Sequence, residues 1–119
     1  MHIQFTARKF KARLDVKDHA IKSVKKLDKF YDGIVRADII LSFERGSQSV
    51  KKAEISLRVH GTKLLAKEKS EDFHKSIDLA VDKLERQLTK YKTKIRMKDK
   101  KVLRRAKEAT IPLDLGEEL

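Results

Sequence analysis

Four histidines, at positions 2, 19, 60 and 74, and an i,i+4 carboxylate pair, Asp78 and Asp82, are the residues that could bind a metal or move a proton. The histidines fall on separate elements with none of the close spacings of a metal site. Asp78 and Asp82 fall on the solvent side of a helix without a histidine partner, so they are expected to balance Lys75 and Lys83. With no cysteine and only four glycines, thiolate chemistry is excluded and no glycine-rich phosphate loop can be drawn. The expectation is a chain that is not an enzyme and holds neither metal nor cofactor.

The chemistry the chain does offer is cationic. Between Asp72 and Ile95, Phe73, Ile77, Ala80, Val81, Leu84, Leu88, Tyr91 and Ile95 recur at spacings of three and four, the repeat of a helix that buries one face. At about 100° per residue, Lys83, Arg86, Lys90 and Lys94 share one flank, and Asp78, Asp82 and Glu85 share the other. A solubilising face mixes signs, because mixed i,i+4 pairs stabilise a helix and single-sign rows repel. Unmixed charge points to a polyanion. A second predicted helix, from Leu14 to about Tyr31, turns Leu14, Ala20, Ile21, Val24, Leu27 and Asp28 to one side. Lys22, Lys25, Lys26 and Lys29 fall within roughly 100° of one another on its outer side.

Composition agrees. Thirty Lys and Arg against eighteen Asp and Glu give a formal charge of +12, which favours nucleic acid or another anionic surface. A length of 119 residues with 39% hydrophobic content suits one domain with its own core. The N-terminus lacks the apolar run of a signal peptide and no stretch is long enough to span a bilayer. A cytoplasmic protein without a membrane or small-molecule partner is expected.

The elements that position these charges can be read in order. Residues 2–10 alternate as a half-buried strand, with Ile3 and Phe5 inward. Gly33 is expected to cap the first helix. Residues 35–45 form a strand with Ala37, Ile39, Leu41 and Phe43 inward and Ile40 out of pattern. RGSQS at 45–49 is a turn, and Ala53, Ile55, Leu57 and Val59 alternate cleanly against Glu54, Ser56, Arg58 and His60. A fourth strand covers 63–69, and Ser70 is placed to cap the long helix. The order β-α-β-β-β-α describes an α+β fold: a four-stranded sheet with two helices on one face, like a double-stranded-RNA-binding domain. The two basic stripes are then expected to form one extended positive surface.

These residues resemble a family. Ser76-Ile77-Asp78, Asp82-Lys83-Leu84-Glu85-Arg86-Gln87-Leu88, and then Lys90 and Lys92 look like the second-helix signature of bacterial ribosome hibernation-promoting factors, also named ribosome-associated inhibitors or sigma-54 modulation proteins. Lys26-Leu27-Asp28-Lys29-Phe30-Tyr31 resembles the end of that family's first helix. There are departures: Ala7 stands for a common glycine, Arg13 for a capping Thr or Ser, His74 for a tyrosine and Ser23 for a frequent lysine.

The resemblance implies a protein that binds 16S rRNA in the small-subunit channel of the 70S ribosome, where tRNA and messenger would lie. It would block translation while stabilising idle ribosomes, through rRNA contacts from Lys22, Lys25, Lys26, Lys29, Lys83, Arg86, Lys90, Lys92 and Lys94. It also implies residues 1–95 as the ribosome-binding domain of a short form, monomeric off the ribosome. Residues 96–119 are a basic-then-acidic extension, expected to be frayed and then disordered, with an acidic end like the tailed inhibitor form that disfavours ribosome dimers. Two rivals are a general double-stranded-RNA-binding module and a protein-interaction modulator of transcription.

Overall fold

The structure is a computed structural model that describes the backbone of residues 1–108 and the side chains of residues 1–95. Its elements are β1 (His2–Ala7), α1 (Leu14–Phe30), β2 (Ile34–Phe43), β3 (Lys51–Val59), β4 (Thr62–Ser70) and α2 (Phe73–Glu108). The chain divides into two compact units, residues 1–88 and residues from Thr89 onward, and α2 is continuous through the boundary.

The first unit is an α+β fold around one sheet of order β1-β2-β3-β4. β1 runs parallel to β2, with Ile3 opposite Ala37 and Phe5 opposite Ile39. The other two pairings are antiparallel. Because strand side chains alternate between faces, most of the predicted inward set is buried, while Ile3, Phe5 and Phe43 are half-buried. Ala37, Ile39, Leu41, Ala53, Ile55 and Leu57 are fully buried, with Val59 and Ala66 nearly so. Ile40 points to the other face and is half-buried.

Two helices cover the inner face. α1 contributes Val16, Ala20, Val24 and Leu27; α2 contributes Phe73, Ile77, Ala80, Val81, Leu84 and Leu88. Lys17 of α1 lies over the Phe5 ring of β1 at 5.9 Å. Gln87 of α2 donates to the Leu65 carbonyl of β4 at 2.9 Å. α1 therefore lies over the β1 side of the sheet and α2 over the β4 side. One end is closed by Phe10, Phe43 and Phe73, with ring centroids 5.0 to 5.5 Å apart, an arrangement that adds edge-to-face attraction to area burial.

Several local expectations are corrected. β1 ends at Ala7 rather than at residue 10, because Lys9 takes a left-handed conformation, φ 61°, which turns Phe10 into the aromatic cluster. Gly33 is not a left-handed cap. α1 stops where Tyr31 becomes extended, its N–H still bonded to the Leu27 carbonyl. A Cβ on Gly33 would sit 2.6 Å from the outer end of the Tyr31 ring, so a side chain there would displace that ring. Leu14 is 72% exposed and Asp28 is exposed too, whereas Val16, unassigned in the sequence pattern, is buried. Arg13, at the N-cap of α1, makes no capping bond and pairs with Asp15 at 3.2 Å instead.

The cap of α2 is Asp72, whose carboxylate accepts from the His74 N–H at 3.2 Å. Ser70 supports it one step back: its hydroxyl accepts from the Asp72 N–H and bonds Ser76 at 2.7 Å. Ser76 is fully buried and donates to the Lys51 carbonyl of β3 at 2.7 Å. Removing a buried donor leaves its acceptors unsatisfied, at a cost of about 1–3 kcal/mol. Ser76→Ala is therefore expected to lower unfolding free energy by about that amount in urea titration, while Ser49→Ala, exposed in the 45–49 turn, leaves the midpoint unchanged.

Candidate nucleic-acid interface

α1 sets out its lysines by elimination. Val16, Ala20, Ser23, Val24 and Leu27 occupy the buried side, so at about 100° per residue Lys22, Lys25, Lys26 and Lys29 are left facing solvent. All four are exposed, and none forms an ion pair among the described residues. Asp18 marks the N-terminal limit of this stripe. Four uncompensated charges on two turns of helix repel one another, and an anion relieves that repulsion.

On α2, Lys83 and Arg86 are exposed. Lys83 is partly neutralised, its ammonium 2.8 Å from Glu68 of β4, so it is not balanced by Asp82 as expected from sequence. Arg86 has no ion pair among the described residues. In the second unit, Lys90 and Lys94 are exposed and Lys92 is half-buried. The helical repeat puts Lys92 on the opposite side of α2 from Lys90 and Lys94, so the helix does not bring these three together.

The ion pairs also fix which way each flank of α2 faces. Asp78, expected to lack a histidine partner, is 2.7 Å from His19 of α1. His74 approaches Asp15 of α1 at 3.4 Å, and the two imidazoles stack at 4.5 Å. The flank carrying Asp78, Asp82 and Glu85 is thus turned toward α1, and the flank carrying Lys83 and Arg86 toward β4. One continuous positive surface over both helices does not form. An acidic row separates the stripes, because the two helices meet through carboxylate and imidazole rather than through lysine.

Histidines separated by most of a strand meander gave no sequence signal of meeting, since only the parallel alignment of α1 and α2 brings positions 19 and 74 together. Among the described residues no group of His, Asp and Glu is arranged to hold a metal ion. No helix there is long and apolar enough to cross a membrane.

Residues 3–96 match the family described as sigma 54 modulation protein / S30EA ribosomal protein. The chain belongs to this family. Among its relatives are the ribosome hibernation promotion factor of Bacillus subtilis, 34% identical over 70% of this chain and 44% of that protein, and the ribosome hibernation promoting factor of Klebsiella oxytoca, 31% identical over 81% of this chain and 98% of that protein. The chain thus spans less than half the length of the Bacillus relative. A ribosomal subunit interface protein from Coxiella burnetii has the same fold, with a TM-score of 0.71 and 28% identity over 78% of this chain and 99% of its own. The Protein Y N-terminal domain of Thermus thermophilus superposes with a TM-score of 0.68 and 28% identity, over 76% of this chain and 99% of its own.

The contact between the helices has a signature in pH. Solvent loss tends to raise the Asp15 carboxyl, but the Arg13 guanidinium and the His74 hydrogen bond outweigh it and hold the group below its usual 3.8. A carboxyl depressed in the folded state stabilises above its unfolded pKa and loses that contribution as pH falls through the folded value. Stability is expected to decline with acid from about pH 4 downward, and Asp15→Asn to flatten that decline in urea midpoints measured across the acid range.

Proposed function

We propose that this chain is a ribosome hibernation factor. It seats on the small ribosomal subunit by gripping 16S rRNA phosphates in the channel used by tRNA and messenger, excludes both by occupancy, and so silences and protects idle ribosomes. The observation that carries the reading is the exposed, unneutralised row Lys22, Lys25, Lys26 and Lys29 on α1, in a fold shared with a ribosomal subunit interface protein. Arg86, Lys90 and Lys94 add charge from α2, with Lys83 free to exchange Glu68 for phosphate. Lys92 plays a lesser part because it is half-buried. Lysine contacts of this type confer affinity and orientation without reading sequence, and recognition rests on RNA shape.

The action needs no chemical step. Names of the relatives support a role in hibernation, and the same reading takes residues 1–95 as the part that engages the ribosome, in a cytoplasmic, monomeric protein. Residues 96–107 continue the basic character, with α2 extending through Glu108. The expectation of a disordered acidic end falls on residues 109–119, outside the described residues.

The test is sedimentation with purified 70S ribosomes. The intact protein is expected to travel with the ribosome, and Lys22→Glu/Lys26→Glu/Lys29→Glu to remain at the top of the gradient while keeping its circular dichroism. Lys83→Glu/Arg86→Glu/Lys90→Glu should behave alike. Affinity should fall by a factor on the order of 10³ or more between 50 and 200 mM salt if six or more phosphates are held. Binding to naked RNA duplexes as tight as to ribosomes would instead favour a general RNA-binding module.

A further inference from the structure

The open face of the sheet, opposite the helices, carries a row of bases of which only Arg36 is balanced within the sheet, by Asp38. By register His2 stands beside Arg36, Arg36 beside Arg58, and Arg58 beside Lys63, across all four strands. Directly opposed side chains on one face interact closely, and like charges there destabilise the pairing. Elsewhere on this face carboxylates are matched to lysines, although Lys52 stands opposite Lys69. Glu54 opposes Lys67 and binds it at 3.2 Å, and Lys69 binds Glu44 at 2.7 Å.

Within this row Arg36 is held in place. Its guanidinium bonds both oxygens of Asp38 at 3.0 to 3.1 Å and also donates to Gln4. Arg58 and Lys63 are exposed and have no ion pair among the described residues. Together with Asp38 and Ser56, the three bases line a depression of about 260 Å³. The Asp38 carboxylate is engaged by Arg36, so it steadies one wall and its charge is offset there.

We infer that this depression binds a phosphate of an RNA backbone, with Arg58 and Lys63 supplying the charge, the Arg36–Asp38 pair a fixed wall and Ser56 a neutral hydroxyl donor. The chemistry suits a phosphodiester. A guanidinium fork offers paired N–H donors to phosphate oxygens, a lysine ammonium adds a mobile point charge, and a hydroxyl completes the shell. Adjacent strands lie about 4.8 Å apart, so the row from Arg36 to Lys63 spans roughly 10 Å and meets a strand of RNA over more than one phosphate. This inference rests on rRNA as the target and extends it. The helical lysines and this depression lie on opposite layers of the fold, so a chain seated in a channel of rRNA would hold both walls.

Arg58→Gln/Lys63→Gln tests it in the full chain. Both side chains are exposed and removing like charges relieves repulsion, so the variant should melt no lower than the parent protein. With a short single-stranded oligouridylate added, the parent should show NMR shifts at Ser56, Arg58 and Lys63 as well as along α1; the variant should lose the sheet shifts and keep those of α1. On 70S ribosomes the variant's dependence of log affinity on log salt should be shallower by about 1.4, two single-strand phosphate contacts. Shifts confined to the helices, or sheet shifts unchanged in the variant, would overturn the inference while leaving the hibernation reading intact. Sheet shifts in a protein that fails to sediment with ribosomes would support the phosphate site and refute that reading.

Discussion

The constraint on which the rest depends is the one-sidedness of the sheet. Ala37, Ile39, Leu41, Ala53, Ile55 and Leu57 make the centre of the inner face wholly apolar in its side chains, and an apolar face of that extent is stable only when covered. Two amphipathic helices meet the need, and each spends its apolar side on the sheet. Their polar sides have nowhere to go but outward. The placement of lysine on α1 and of lysine and arginine on α2 is thus a direct result of core formation, with no loop required to present them. A site built on helices docked to a rigid sheet holds its geometry better than one built on loops.

Charge is distributed with two logics on the same molecule. Where α1 meets α2, carboxylates bond imidazoles, and Glu54 pairs with Lys67 on the sheet, so that these polar groups are partnered within the fold. On the outer face of α1 and at Arg58 and Lys63, like charges are left together. Exposed pairs contribute little to stability individually, so pairing could have been extended over these sites at small cost, and its absence there is informative. The acidic row of α2 also has a use in this arrangement, since it gives α1 and α2 a polar seam and divides the positive surface into separate tracks.

Most of the fold was legible from periodicity because strands and helices here each have one buried side. Ala53, Ile55, Leu57 and Val59 alternate without exception, and Ile77, Ala80, Leu84 and Leu88 repeat with the helix. The candidate lysines of α1 followed from the same arithmetic. What escaped was whatever depends on contacts distant in sequence or on a single backbone angle. His19 and His74 meet only after both helices dock, Lys83 finds Glu68 on a neighbouring strand, and the left-handed turn at Lys9 has no marker, since lysine is not a residue that favours it. Gly33 has no left-handed φ, and what it gives is space for the outer end of the Tyr31 ring. The row His2, Arg36, Arg58 and Lys63 was invisible for a related reason, because register alone creates it.

The mixed strand pairing carries a kinetic consequence. β2, β3 and β4 form a meander whose partners are close along the chain, Val59 facing Thr62 across a two-residue turn at Gly61. β1 pairs with β2 only across the whole of α1, so its loop-closure entropy is larger and is repaid last. The natural order of assembly is meander first, then α1 swinging β1 into its edge position. β1 is also the shortest strand and lies at an edge of the sheet, so local opening should begin there, with β2 through β4 still in register.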